Sequence, residues 1–170
     1  RMRNDIILPK IAYCSLNMSP GGAPSVRECC VGMHYHAELE LLQVLAGSMD
    51  CVLQSGILTA NTGDVIFINE SIPHGTRTHI GTASRLIQFK PDNAALQYMG
   101  GLNYNMQRFL KNSKNDCVIL KSTSPIGIEV NDILNKMNIE INQAQRGYEL
   151  YLKGYLELLT GIFTRGGLLC

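Results

Sequence analysis

Three histidines and one glutamate in this chain are spaced so that they can meet at one point: His34, His36, Glu40 and His74. In the segment His34-Tyr-His-Ala-Glu-Leu-Glu40 the first two imidazoles stand two residues apart. Successive side chains of a strand point to opposite faces, so on a strand His34 and His36 share a face, about 6–7 Å apart along it. Glu40 adds a carboxylate, but on a straight strand it would lie about 13 Å from His36. It can join the histidines only if the chain bends or bulges between Ala37 and Leu39. His74 arrives after a second apolar run, Val65 to Asn69, and a loop, Glu70 to Pro73. Three imidazoles and a carboxylate suit zinc, iron, nickel or manganese, with one coordination position left open for water or a ligand. Without a metal the same side chains make a hydrogen-bonded polar pocket. Spacing alone does not choose between the two.

The elements that must position these residues read as short strands. Val26 to Met33 leads a strand into His34, and the apolar run Leu41 to Leu45 ends at a turn, Gly47-Ser48. Met49 to Leu53 and Ile57 to Ala60 make a hairpin about Ser55-Gly56. Asn61 to Asp64 turns the chain into the buried strand Val65 to Ile68, and Ser84 to Phe89 is a further strand stopped near Pro91. Ile6 to Leu8 and Ile11 to Leu16 are read as short strands, and Ser19 to Pro24 as a loop. Short strands at this spacing, with glycine turns, indicate a small barrel or sandwich.

After residue 92 the pattern changes. Asn93 to Lys111 reads as helical, interrupted by Gly100-Gly101. Apolar residues at 126, 130, 133, 134, 137 and 141 form a helical stripe, and Ser124-Pro125 supplies its start. Gln145 to Gly147 breaks that helix. Tyr148, Leu152, Tyr155, Leu159 and Ile162 then follow a 4-3-4-3 spacing, the seam of a helix pair. That seam is open to three partners: the barrel, the first helix or a second subunit. The division is therefore a β-barrel over 1–92 and a helical region over 93–170, with a helical hairpin at 126–165, packed as one domain.

The 170 residues suffice for a single core, and 45% of them are hydrophobic. A net charge of +1, with lysine and arginine scattered, gives no electrostatic footprint for nucleic acid. No apolar run reaches the roughly 18 residues of a membrane span, and no signal peptide is visible. The six cysteines contain no Cys-x-x-Cys pair and read as reduced thiols of a cytoplasmic protein. The chain starts at Arg1 rather than methionine, as expected of a piece of something longer. Cys51 is expected to be a small buried apolar residue. Glu38 is expected to face solvent and His79 to sit on a rim. Tyr35 should turn away from the histidine face and pack under a helix. No Gly-x-Ser-x-Gly elbow and no phosphate-cradling glycine loop is present.

His34-x-His36, three residues, Glu40, six residues and Gly47 is similar to the first cupin motif. Gly63, five residues and Asn69-x-Ser71-x-x-His74 resembles the second. That motif usually carries Pro and Gly where this chain has Asn69 and Ser71. Thr78 stands in the usual place of an Asn, and Glu28 where a Gly is expected. The resemblance implies a mainly β fold: a cupin-like double-stranded β-helix, or jelly-roll barrel, followed by a C-terminal α-helical hairpin. With the Gly63-Asp64-x-x-x-Ile68-Asn69 strand before Pro73-His74 and the two helices after it, the chain resembles the N-terminal half of AraC-type transcription regulators. That resemblance implies a barrel that binds a small effector, with His34, His36, Glu40 and His74 lining the pocket by metal ligation or hydrogen bonds. It implies a homodimer through the C-terminal helices, and DNA binding only through a separate C-terminal domain with two helix-turn-helix units. It implies a sensor rather than an enzyme. The alternative is a free-standing metal-dependent cupin enzyme of dioxygenase or sugar isomerase type. A third reading is a structural cupin-like module with a filled barrel and no ligand.

Overall fold

Leu39–Ala46 forms β3, and its nearly unbroken apolar sequence follows from burial on both faces. Odd-numbered Leu39 and Leu41 face a core shared with the C-terminal helices. Even-numbered Leu42 and Val44 face the barrel interior. The computed structural model describes residues 10–15, 29–90 and 116–168. In chain order its strands are β1 Lys10–Ser15, β2 Cys29–His34, β3, β4 Ser48–Leu53, β5 Gly56–Asn61, β6 Val65–Ile68, β7 His74–Thr78, β8 Ala83–Phe89 and β9 Cys117–Leu120. Two helices follow, α1 Pro125–Gln143 and α2 Tyr148–Arg165.

The strands form a five-stranded sheet in the order β1-β8-β3-β6-β9 and a four-stranded sheet in the order β2-β7-β4-β5. All the pairings are antiparallel. This is the cupin-like arrangement the motifs implied. Between the sheets lie Leu42, Val44, Met49, Cys51, Ala60, Ile66 and Ile68. The outer face of the five-stranded sheet carries Leu39, Leu41, Val65, Phe67, Ile87 and Phe89, which pack against both helices. Phe67 meets Phe163 of α2 edge to face, ring centroids 5.0 Å apart.

The turns explain the register. Gly47 adopts φ +73, and a Cβ there would fall 2.7 Å from Thr82 Oγ1, so glycine is required between β3 and β4. The β4–β5 turn is Gln54-Ser55, one residue before the Ser55-Gly56 pair the sequence suggests, and Gly56 opens β5. After the β5–β6 turn the buried Asp64 accepts from the backbone N–H groups of Asn61 and Ser122 and from Lys121 Nζ, at 3.1, 2.9 and 2.9 Å. Burial pushes the Asp64 carboxyl up, but those donors outweigh it and hold it below its usual value.

Two strands were not legible in the sequence. In β7, His-Gly-Thr-Arg-Thr, the inward residues His74, Thr76 and Thr78 are polar, so no apolar alternation marks it. β9 has only four residues, with Cys117 and Ile119 inward and Val118 and Leu120 toward the helices. It lies in the stretch read as helical after residue 92 and pairs with β6. The helix read over Asn93 to Lys111, the strand at Ile6 to Leu8 and the loop at Ser19 to Pro24 lie outside the described residues.

The helix starts follow their sequence signals. Ser124 caps α1 by accepting from the Gly127 N–H at 3.1 Å, with Pro125 in the first turn. Ala144, at φ 45, ends α1, and Gly147, at φ 92, opens α2. The 4-3-4-3 seam faces inward: Leu152, Leu159 and Ile162 are buried, and Tyr148 and Tyr155 pack against the same core. Barrel and first helix are therefore its partners. A second, polar tie holds α1 to the sheet. Gln43 Nε2 donates to Asn131 Oδ1 at 2.8 Å and Asn135 Oδ1 at 3.1 Å, and Arg85 Nη1 donates to Gln43 Oε1 at 2.7 Å. No helix among the described residues is long and apolar enough to cross a membrane.

Candidate functional site

The four residues singled out from the sequence meet at one end of the cup. One ligand atom from each of His34, His36, Glu40 and His74 lies within 4.8 Å of all the others. His34 is the last residue of β2, and a register shift between Val31 and His34 sets it directly opposite His74, the first residue of β7. Their ring centroids are 4.5 Å apart. His36 is not on a strand. The chain leaves β2 after His34 and bends at residues 37–38 before β3 begins. That bend removes the separation a straight strand would impose, and His36 Nε2 lies 2.8 Å from Glu40 Oε2. The Ser71 N–H donates to the His36 carbonyl at 2.9 Å and ties the bend to the β6–β7 loop. Ser71 adopts φ 60, the left-handed conformation that glycine takes without strain. The serine in this second motif therefore keeps the backbone shape of the glycine it replaces.

The histidine tautomers are set by the backbone. Each Nδ1 faces a carbonyl oxygen, which can only accept: Gly32 for His34 at 2.9 Å, Glu38 for His36 at 3.0 Å and Ile72 for His74 at 2.8 Å. All three Nδ1 atoms therefore carry the proton, and in the neutral rings Nε2 is left with a lone pair. The His36 Nε2 contact with Glu40 then calls for a proton or a cation between two acceptors. Among the described residues the buried His74 Nε2 has no hydrogen-bond partner, and it lies 3.7 Å from Glu40 Oε2. A lone pair beside a carboxylate and two more imidazoles is a donor set that suits a divalent metal, and backbone carbonyls that orient the rings are the usual outer support in such sites. The residues present fit such an ion.

Gln88 was missed by sequence reasoning. It sits across the β3–β8 ladder from Glu40 and donates its amide to Glu40 Oε2 at 2.7 Å. A polar residue inside the apolar run Leu86 to Phe89 was the available signal. Burial pushes the Glu40 carboxyl up, but the facing His74, with Gln88 and His36, brings it down from 4.5 to about 2. His74 is pushed down by burial and up by Glu40 and the Ile72 carbonyl, and the net direction is up.

The remaining sequence expectations divide. Tyr35 turns away from the histidines but is 74% exposed rather than packed under a helix. Glu38 is half-buried; its carbonyl accepts from His36 Nδ1 at 3.0 Å, and its carboxylate lies 3.6 Å from the same nitrogen. His79 lies apart from the cluster and pairs with Asp50 at 3.1 Å. Cys51 is fully buried.

A cluster of three imidazoles and a carboxylate, set in an antiparallel cup lined by aliphatic side chains, marks the fold as a cupin-type barrel. The model for the AraC-like ligand binding domain matches residues 30–159, and the chain belongs to that family. No curated protein matches it in sequence. Among solved structures it is similar to ToxT from Vibrio cholerae with a bound unsaturated fatty acid, at TM-score 0.58 and 15% identity, covering 96% of this chain and 56% of that one. It is also similar to the AraC-like transcriptional activator CuxR, at TM-score 0.53 and 10% identity, covering 76% of this chain and 42% of that one. At these identities the likeness is one of fold, and the chain spans about half the length of either neighbour.

Proposed function

We propose that this chain is the effector-sensing and dimerisation part of an AraC-type transcription regulator. The observation that carries the reading is the convergence of His34, His36, Glu40 and His74 at one end of the cup in a chain of this family. The effector is a small polar metabolite, with sugars the first class to try, because three imidazoles and a carboxylate converge at one point of the cup. A divalent ion, with zinc, nickel, iron and manganese all compatible with the donor set, would be held by the same four side chains. When bound it supplies a Lewis-acidic anchor for ligand oxygens. DNA is reached through a separate domain, in the cytoplasm, and effector binding biases how two copies present those domains.

The dimer surface is the outward face of α2. Leu150, Tyr151 and Leu158 are 67%, 60% and 49% exposed, more apolar surface than a lone helix usually leaves in water. Tyr151, Gly154, Leu158 and Gly161 follow a 3-4-3 spacing on that face, a self-complementary seam for a second copy.

The complete ligand set also favours a second reading, a metal-dependent cupin enzyme. One experiment separates the two. Protein purified without chelator is analysed for metals, incubated with sugars and other polar metabolites, and scored for thermal shift and for chemical change in the ligand. A thermal shift that His36→Ala abolishes, with the ligand recovered intact, supports the sensor. Turnover of the ligand supports the enzyme. Absence of both metal and ligand response removes the pocket.

A further inference from the structure

Besides the histidine cluster, the barrel interior holds a second set of reactive side chains, a pair of thiols. Cys51 belongs to β4 of the four-stranded sheet and Cys117 to β9 of the five-stranded sheet. Their sulfurs are 3.6 Å apart, with the Cys117 Sγ–H directed at Cys51 Sγ. The contact spans the space between the sheets and joins segments 66 residues apart in sequence. Two thiols already in contact across a packed interior need only a small approach, about 1.5 Å, to reach the S–S bond length of roughly 2.05 Å.

We infer that Cys51 and Cys117 form a reversible inter-sheet disulfide when the protein meets a peroxide. Cys51 is fully buried and Cys117 half-buried, so Cys117 is the one of the two nearer to solvent. The Cys117 Sγ–H directed at Cys51 Sγ supports a thiolate on Cys51, so Cys51 is the attacking sulfur. The Cys51 thiolate attacks one peroxide oxygen, the O–O bond breaks, and the departing oxygen leaves as water after taking up a proton. Cys51 is then a sulfenic acid. Cys117 loses its proton and attacks the Cys51 sulfur; the S–S bond forms as the S–O bond breaks, and a second water leaves. Two thiols and one peroxide give one disulfide and two waters.

The placement of the pair gives this bond consequences. Among the described residues β9 is the end strand of its sheet and pairs with β6, so no other described ladder opposes its movement toward β4. Cys117 lies opposite Ile68, and Ile68 opposite Glu40, so the bond falls on the rung that carries the carboxylate of the histidine cluster. β9 ends at Leu120 and α1 begins at Pro125, so a pull on β9 also reaches the start of the helical hairpin.

The test uses the intact chain, reduced, then treated with hydrogen peroxide, alkylated under denaturing conditions and digested without reductant. The expected result is loss of two of the six thiols, a linked peptide pair containing Cys51 and Cys117 that is lighter by two hydrogens than its parts, and recovery of both thiols with dithiothreitol. Cys117→Ser, at the half-buried position, should fold and lose the linked pair. Cys51→Ala, read the same way, keeps the result independent of either variant's folding. Oxidation that leaves Cys51 and Cys117 alkylatable, or that joins other cysteines instead, overturns the inference. So does an irreversibly oxidised Cys51 with Cys117 still free.

Discussion

Glu40 is the most constrained side chain in the cup. It is buried, faces two imidazoles and accepts from Gln88, and its carboxyl lies near 2 rather than 4.5. A carboxylate whose value is lowered on folding stabilises the fold above its unfolded value and loses that contribution as pH falls through the folded one. For chelator-treated protein this is a loss of about 3 kcal/mol between pH 4.5 and about 2. His74 has the opposite sign: raised on folding, it stabilises below its usual 6.5 and fades as pH climbs past its raised value. Urea denaturation across pH should show both slopes in the wild type. In Glu40→Gln the acid slope should shrink and the His74 contribution with it. If the acid limb is unchanged in Glu40→Gln, the pairing is not what holds that end of the cup. His74→Ala should remove the proposed metal from protein purified without chelator, read by elemental analysis, because it deletes a buried nitrogen with no hydrogen-bond partner among the described residues. Ser71 offers a gain: at φ 60, Ser71→Gly should stabilise by about 1 kcal/mol in thermal or chemical unfolding.

The elements differ in how plainly their residues announce them. β6 and the two helices were legible because their apolar spacing matches what each buries. The Ser124-Pro125 start of α1 was legible from cap chemistry. Three site histidines and Glu40 were legible from type and spacing, and so was the need for a bend before β3. β7 was not, since its inward residues are the polar ones a site needs. β9 was not, since four apolar residues that pack on both faces carry no period. Gln88 was hidden because one amide among aliphatic neighbours has no pattern of its own. The same local chemistry gives measurable costs. Ser124→Ala should lower stability by about 1 kcal/mol. Gly127→Ala should cost more, since its Cβ would overlap the Lys121 carbonyl, which a backbone cannot easily vacate. Gln43→Leu should cost roughly 2 kcal/mol, because it strips partners from the buried Arg85 and from Asn131 and Asn135. Unfolding midpoints in urea check all three.

At the scale of the whole molecule, the helical hairpin lies on the outer face of the sheet whose inner face carries Glu40, so site and hairpin share one wall. The proposed dimer follows from what α2 leaves uncovered, and Leu158→Glu should convert dimer to monomer in sedimentation while leaving the helical signal in circular dichroism intact. A monomeric wild type at micromolar concentration would remove that interface. The two-sided burial of β3 has a separate use. Along that strand, consecutive positions serve different packings: Leu42 and Val44 fill the space between the sheets, while Leu41 and Gln43 seat the hairpin. Substitutions confined to one parity therefore perturb the barrel interior and leave the seat of the hairpin in place, and substitutions at the other parity do the reverse.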